Sequence, residues 1–171
     1  ILSQKTGMLS KLYTYVPVYA ADKVRDALFA AGAGNVGRYK QCSFNTSGIG
    51  TFKPGEDTDP TIGEAGGDRE SVDEVKIEVL AEKHAEGAIM RALFENHPYE
   101  EVAYELIPLP NANQELGAGM IGRLPVPLAE EDFLALLKQQ MKADCIRYTQ
   151  LSGRPVETVA VCGGSGSFLL R

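Results

Sequence analysis

The sequence predicts an α+β chain in two parts: a split β-α-β unit, then an incomplete α/β layer. Three observations lead there. Apolar residues alternate with polar ones in Lys11–Val16 and again around Val75, Ile77 and Val79, the two-residue period of half-buried strands. Between such runs, apolar residues recur at helical spacing. Pro108, Pro110, Asn111, Asn113 and Gly117 then mark a linker, 110–116, after which the pattern changes.

In the first strand Leu12, Thr14 and Val16 share one face, Tyr13 and Tyr15 the other, and Pro17 ends it. Ala20–Ala31 carries Val24, Ala27, Leu28 and Ala31 as a helical stripe, with Gly32 placed to terminate it. Tyr39–Phe44 is a candidate second strand. Residues 45–70, rich in Gly, Thr, Asp and Pro, read as a long excursion or hairpin with turns at Gly48, Gly50, Gly55 and Gly63. A strand through Val75–Val79 follows, then a helix over Glu82–Asn96 with Ala85, Ala88, Ile89, Ala92 and Leu93 on one face, then a strand at Val102–Ile107. This order matches the ferredoxin-like split unit.

After the linker, Met120–Val126 looks extended. Glu130–Met141 is a helix with Phe133, Leu136 and Leu137 inward. Its first turn carries Glu130, Glu131 and Asp132, and Lys138 lies near its end, an order that suits the helix dipole. Cys145–Tyr148 is a short strand candidate, and Thr158–Cys162 reads as a buried central strand. That strand enters a glycine turn with only a few residues left to cover its face, and the chain starts at Ile1. The expectation is a piece of a longer protein.

Composition narrows the function. A net charge of −6, with 17 Lys and Arg scattered and no basic run, argues against a nucleic-acid surface. No apolar stretch reaches the length of a membrane span. Cys42, Cys145 and Cys162 are far apart, with no C-x-x-C, which fits reduced thiols in a cytoplasmic protein better than a disulfide framework or zinc ribbon.

Two segments, Gly32–Gly37 and Gly117–Gly122, spell G-x-G-x-x-G. A dinucleotide site needs that phrase after a strand and opening a helix. The first follows a helix, and Pro125 and Pro127 forbid an immediate helix after the second. The turn Gly163, Gly164, Ser165, Gly166 is better placed, at the carboxyl end of a strand. Its backbone N–H groups suit an anion or simply make a tight turn. It lacks the G-K-[ST] of a phosphate loop. His97-Pro98-Tyr99-Glu100-Glu101 invites a metal or acid–base reading, but adjacent carboxylates in a strand point to opposite faces, and His-Pro is an ordinary helix stop. With two histidines and no paired spacing, no metal ligand is assigned. No residue stands out as nucleophile or base.

Several phrases in order carry a resemblance: Lys11-Leu12 through Val16-Pro17, Ala31 through Tyr39, Cys42-Ser43-Phe44, Gly48-Ile49-Gly50-Thr51-Phe52, Pro60-Thr61-Ile62-Gly63, His97 through Tyr104, Gly119 through Leu124, and Val159 through Gly166. The chain resembles the Nif-three-like dinuclear-metal-centre family, labelled type 2 GTP cyclohydrolase I homologues. The resemblance implies residues 1–10 as a linker from a first core half, 11–109 as a PII/CutA-like inserted domain, 110–116 as a linker, and 117–171 as the start of the second half of an α/β core. It implies a toroidal homohexamer with two divalent metal ions per subunit. The family's ligands are a histidine pair and an acid in the first core half, and a His and a Glu beyond the glycine turn. None of those stretches is in this sequence, so the metals and any hydrolase chemistry are expected in the complete protein and no cofactor in this chain alone. Gly163, Gly164, Ser165 and Gly166 are what remains near the family's site. The alternative is a regulatory module that senses a small molecule or shapes the oligomer, with 45–70 as its working loop.

Overall fold

The structure, a computed structural model, describes residues 1–164. In chain order its elements are β1 (Leu2–Gln4), β2 (Leu9–Pro17), α1 (Ala21–Ala30), β3 (Ser43–Phe52), β4 (Glu70–Glu82), α2 (Glu86–Asn96), β5 (Tyr104–Leu109), β6 (Gly117–Leu128), α3 (Glu130–Gln140) and β7 (Val156–Cys162). A short 3-10 turn, Val18–Ala20, leads into α1. The chain divides into two compact units, Lys5–Gln114 and a second made of Ile1–Gln4 with the chain from Glu115 onward.

In the Lys5–Gln114 unit, four antiparallel strands stand in the order β3-β4-β2-β5. The register sets Leu12 opposite Val79 and Leu106, and Thr14 opposite Ile77 and Tyr104. Because side chains alternate across a strand, Ser10, Leu12, Thr14 and Val16 all turn to one face and are buried there. Val24 and Leu28 of α1 and Ile89 and Leu93 of α2 meet them in a single core with Ile77, Val79 and Ala81. The stripes that made these helices legible are the faces they bury. Two polar groups enter the core with partners. Ser10 Oγ donates to Glu86 Oε1 at 2.6 Å, and Thr14 Oγ1 donates to the Ala103 carbonyl at 3.1 Å.

The other face of the sheet is half-exposed and charged. Lys76 Nζ lies 3.3 Å from Glu78 Oε1 and 4.3 Å from the centre of the Tyr13 ring, a cation–π contact. Tyr15 hydroxyl donates to Glu105 Oε1 at 3.3 Å.

Several boundaries differ from expectation. Tyr39–Gln41 is not strand: Val36 and Tyr39 form an isolated bridge, and Gln41 takes a positive φ of 58°. The strand instead runs through Ser43–Phe52 and so takes in the opening of what composition marked as excursion. Asn45, Gly48 and Gly50 there disfavour a strand, and ten paired positions along β4 impose the extended form. Glu82–Ala85 lie outside α2, with Glu82 ending β4. Residues 2–4, read as linker, form β1, and Leu9 and Ser10 belong to β2.

The second unit holds the antiparallel order β1-β6-β7. Gly119 pairs with Leu2 on one side and Cys162 on the other. Cys145–Tyr148 forms no strand. The last strand is present but is neither central nor buried among the described residues: it is an edge, and Val161 is 61% exposed. Helix α3 has no buried residue. Glu130 at its start accepts the N–H groups of Ser152 at 2.9 Å and Gly153 at 2.7 Å. Those two bonds hold its carboxyl below the usual range.

Candidate functional site

A cavity of about 670 Å3 opens on the charged face of the four-stranded sheet. Its floor is set by strand alternation: Tyr15 on β2, Glu74 and Lys76 on β4, and Gly48 and Gly50 on β3 project to the same side. Its walls are the excursion from Lys53 to Ile62 and the segment Tyr99–Glu101 between α2 and β5.

The glycine at 50 has a specific steric reason. A Cβ there would collide with Glu74 Oε2, so the missing side chain is what lets the carboxylate lie over β3. Tyr99 hydroxyl donates to the other oxygen, Oε1, at 2.9 Å. Burial and the Glu74 carboxylate both raise the Tyr99 pKa, so the phenol stays protonated and serves as a donor. Phe52 packs against the Tyr99 ring at 6.0 Å between centroids.

His97 holds this wall in place. It caps α2 with an extended ψ of 138°, which Pro98 enforces. The backbone N–H of Tyr99 donates to Nδ1 at 3.1 Å, which makes Nδ1 the unprotonated nitrogen. Nε2 therefore carries the hydrogen and donates to the Tyr15 carbonyl at 3.0 Å. Burial lowers the His97 pKa, against the opposing pull of the Tyr15 carbonyl and the Glu74 charge, which favours this neutral form. The next residues tie down the excursion. Thr61 Oγ1 donates to the Pro98 carbonyl at 2.7 Å, and both Glu100 oxygens accept the Asp59 N–H, at 3.1 and 3.2 Å.

His97 is thus a clamp between β2 and the cavity wall. Among the described residues, no group of three or more His, Cys, Asp or Glu stands close enough to hold an ion, around His97 and His84 as elsewhere. The residues present do not fit a dinuclear centre, and no chemistry is derived through one. His84 lies in the turn before α2, exposed, 3.5 Å from Glu82.

The model of the Duf34/NIF3 (NGG1p interacting factor 3) family matches residues 19–171. The chain belongs to this family. A GTP cyclohydrolase 1 type 2 homolog of Halalkalibacterium halodurans is 41% identical over 162 residues, covering 95% of this chain and 43% of that protein. The Bacillus subtilis protein of the same name is 39% identical, with the same coverage. A solved Bacillus cereus protein related to NIF3 superposes with a TM-score of 0.72 at 36% identity, over 96% of this chain and 43% of that one. The Duf34/NIF3 chain described here therefore spans less than half the length of the relatives it matches.

Of the site residues read from the sequence, Gly163 and Gly164 follow the carboxyl end of β7, and Gly164 takes a φ of 75°. Ser165 and Gly166 lie outside the described residues. Gly32–Gly37 belongs to the connection from α1 to β3, and Gly117–Gly122 lies inside β6; neither opens a helix. The cavity gathers Tyr15, Glu74, Lys76 and Tyr99, none of which sequence reading assigned to a site. The signals available were the phrase from His97 to Glu101 and the glycines at 48 and 50.

Proposed function

We propose that this chain is part of a dinuclear-metal-binding, hydrolase-like protein of the Duf34/NIF3 family whose metal ligands lie outside these residues. The observation that carries the reading is the 41% identity, over 95% of the chain, to a protein named GTP cyclohydrolase 1 type 2 homolog. On this reading residues 11–109 are a ferredoxin-like, PII/CutA-like inserted domain, and the chain from 117 begins the second core half. The β3-β4-β2-β5 order with both helices on one face supports the first assignment. The complete protein is a cytoplasmic homohexamer carrying two divalent ions per subunit, with Gly163–Gly166 beside them.

The test is metal content per chain, measured on the complete family protein and on these 171 residues. Two ions in the complete protein and none in the shorter chain is the expected result. Two tightly held ions in the 171-residue chain would overturn it.

A second reading, a small-molecule-sensing module, is favoured by the 670 Å3 cavity, a volume typical of ligand sites. The two readings are compatible if the inserted domain senses and the core reacts.

A further inference from the structure

We propose that the cavity over β3 and β4 binds a flat aromatic ring bearing paired N–H donors, an amidine, guanidine or 2-amino-heteroaromatic edge, and rejects phosphate-bearing ligands. This inference deepens the sensing reading and rests on it.

Three features of the cavity set the ligand class. Tyr15, Phe52 and Tyr99 all line it. Such faces favour a flat aromatic body, which stacks or packs edge-on at little entropic cost. Gly48, with nothing within 4 Å of where a side chain would start, leaves the floor bare there on the β3 side, so a ring can lie close to the main chain beside the Glu74 carboxylate over Gly50. Polar recognition converges on Glu74. Its Oε1 takes the Tyr99 hydroxyl, while Oε2 lies over Gly50. A carboxylate presents two coplanar oxygens and accepts two parallel N–H bonds, the geometry offered by an amidine-like edge.

Charge excludes the alternative. The lining carboxylates Glu74, Glu100 and Glu101 face only Lys53 and Lys76. The Lys76 ammonium is already engaged by Glu78 and the Tyr13 ring. A phosphate would sit among like charges with one exposed lysine to meet it, and like-charge repulsion in a partly desolvated site disfavours it.

Benzamidine and benzoate test this on the 171-residue chain, because they share a ring and differ in the donor edge and charge. Guanosine and GTP form the second pair, sharing a 2-amino-heteroaromatic edge and differing in phosphates. Calorimetric titration is expected to show benzamidine binding at least tenfold tighter than benzoate, and guanosine at least tenfold tighter than GTP. Glu74→Gln keeps the side-chain volume and is expected to weaken benzamidine at least tenfold with an unchanged circular dichroism spectrum. If that variant does not fold, the two wild-type pairs decide. Benzoate matching benzamidine, or GTP matching guanosine, would overturn the ligand class and leave a binding domain standing. No binding by any of the four would overturn the class and the sensing reading together.

Discussion

Replacing His97 with Ala separates a clamp from a mere helix stop. His97 is 8% exposed, and its ring makes two hydrogen bonds on opposite nitrogens. Each bond contributes about 1 kcal/mol net, and truncation leaves the Tyr15 carbonyl and the Tyr99 N–H short of partners in a half-buried setting. With the space left by the ring, the loss is about 3 kcal/mol. For a unit of this size that lowers the melting temperature by roughly 12 °C. Two further variants split the effect. Asn places its amide oxygen near Nδ1 and keeps the Tyr99 bond, while Gln places a donor near Nε2 and keeps the Tyr15 bond. Each is expected to recover about 1 kcal/mol. Thermal melts of the four proteins, with hydrogen exchange at the Tyr99 amide, measure this. Exchange at Tyr99 should quicken in the Ala and Gln variants and stay slow in the Asn variant. A His97→Ala protein within about 1 kcal/mol of the parent would refute the clamp, because two part-buried bonds and the lost ring together should cost more than that.

Three other outcomes are expected. Since the folded-state pKa of His97 is lowered, its contribution is complete above its unfolded pKa of about 6.5 and is lost as pH falls through the folded value. Protonation would set Nδ1–H against the Tyr99 N–H, and urea midpoints below pH 6.5 should decline less steeply in the Asn variant. Gly34→Ala should cost about 2–4 kcal/mol, because φ is 75° and the new Cβ would stand 2.7 Å from the Cys42 carbonyl oxygen, a backbone atom that cannot swing aside. Gly48→Ala, with nothing within 4 Å, serves as the near-neutral comparison in the same denaturation series. Ser10→Ala removes a charge-assisted bond to Glu86, whose carboxyl is held low by Lys83 and Ser10 against the opposing effect of burial. The expected loss is about 1–2 kcal/mol at pH 7, shrinking as pH falls through the Glu86 titration.

The fold was legible where burial and period agree. Leu12, Thr14 and Val16 alternate in sequence and are all buried, and Val24, Leu28, Ile89 and Leu93 sit on predicted helix faces. It was illegible in β3, whose Asn45, Thr46, Ser47, Gly48 and Gly50 are polar or small because the strand is an edge with neither face deeply buried. Pairing with β4 decides its state, and pairing is a long-range fact that local composition does not carry. The site failed for a related reason. Tyr15, Glu74 and Tyr99 are separated by up to 84 positions in sequence; the β2–β4 register aligns the first two, and His97, bonded to the Tyr15 carbonyl and the Tyr99 N–H, brings in the third. The His97 phrase was visible, but metal or acid–base chemistry and a helix stop were the alternatives weighed for it. Its clamp role depends on Tyr15, which no local pattern points to.

The two units differ in how far they satisfy their own apolar surface, and that difference is measurable. All twelve buried apolar residues of the core lie between Leu12 and Leu93, in the Lys5–Gln114 unit. In the other unit, no described apolar side chain reaches that degree of burial. Met120 and Ile121 are neighbours on β6 and so point to opposite faces, yet they are 60% and 51% exposed. Among the described residues of this unit, both faces of that sheet therefore carry exposed apolar side chains. Hydrogen-bonded strands without a buried face are poorly protected, since opening them exposes little additional apolar surface. Amides of β2, β4, α1 and α2 should accordingly exchange only through global unfolding of their unit. Those of β6 and β7 should exchange orders of magnitude faster, through local opening. Adding denaturant should accelerate the first set steeply and the second hardly at all, because the surface exposed in opening sets that slope. Equal protection and equal slopes across the two units would mean that β6 and β7 share the cooperative core. The partition of stability argued from burial would then be wrong.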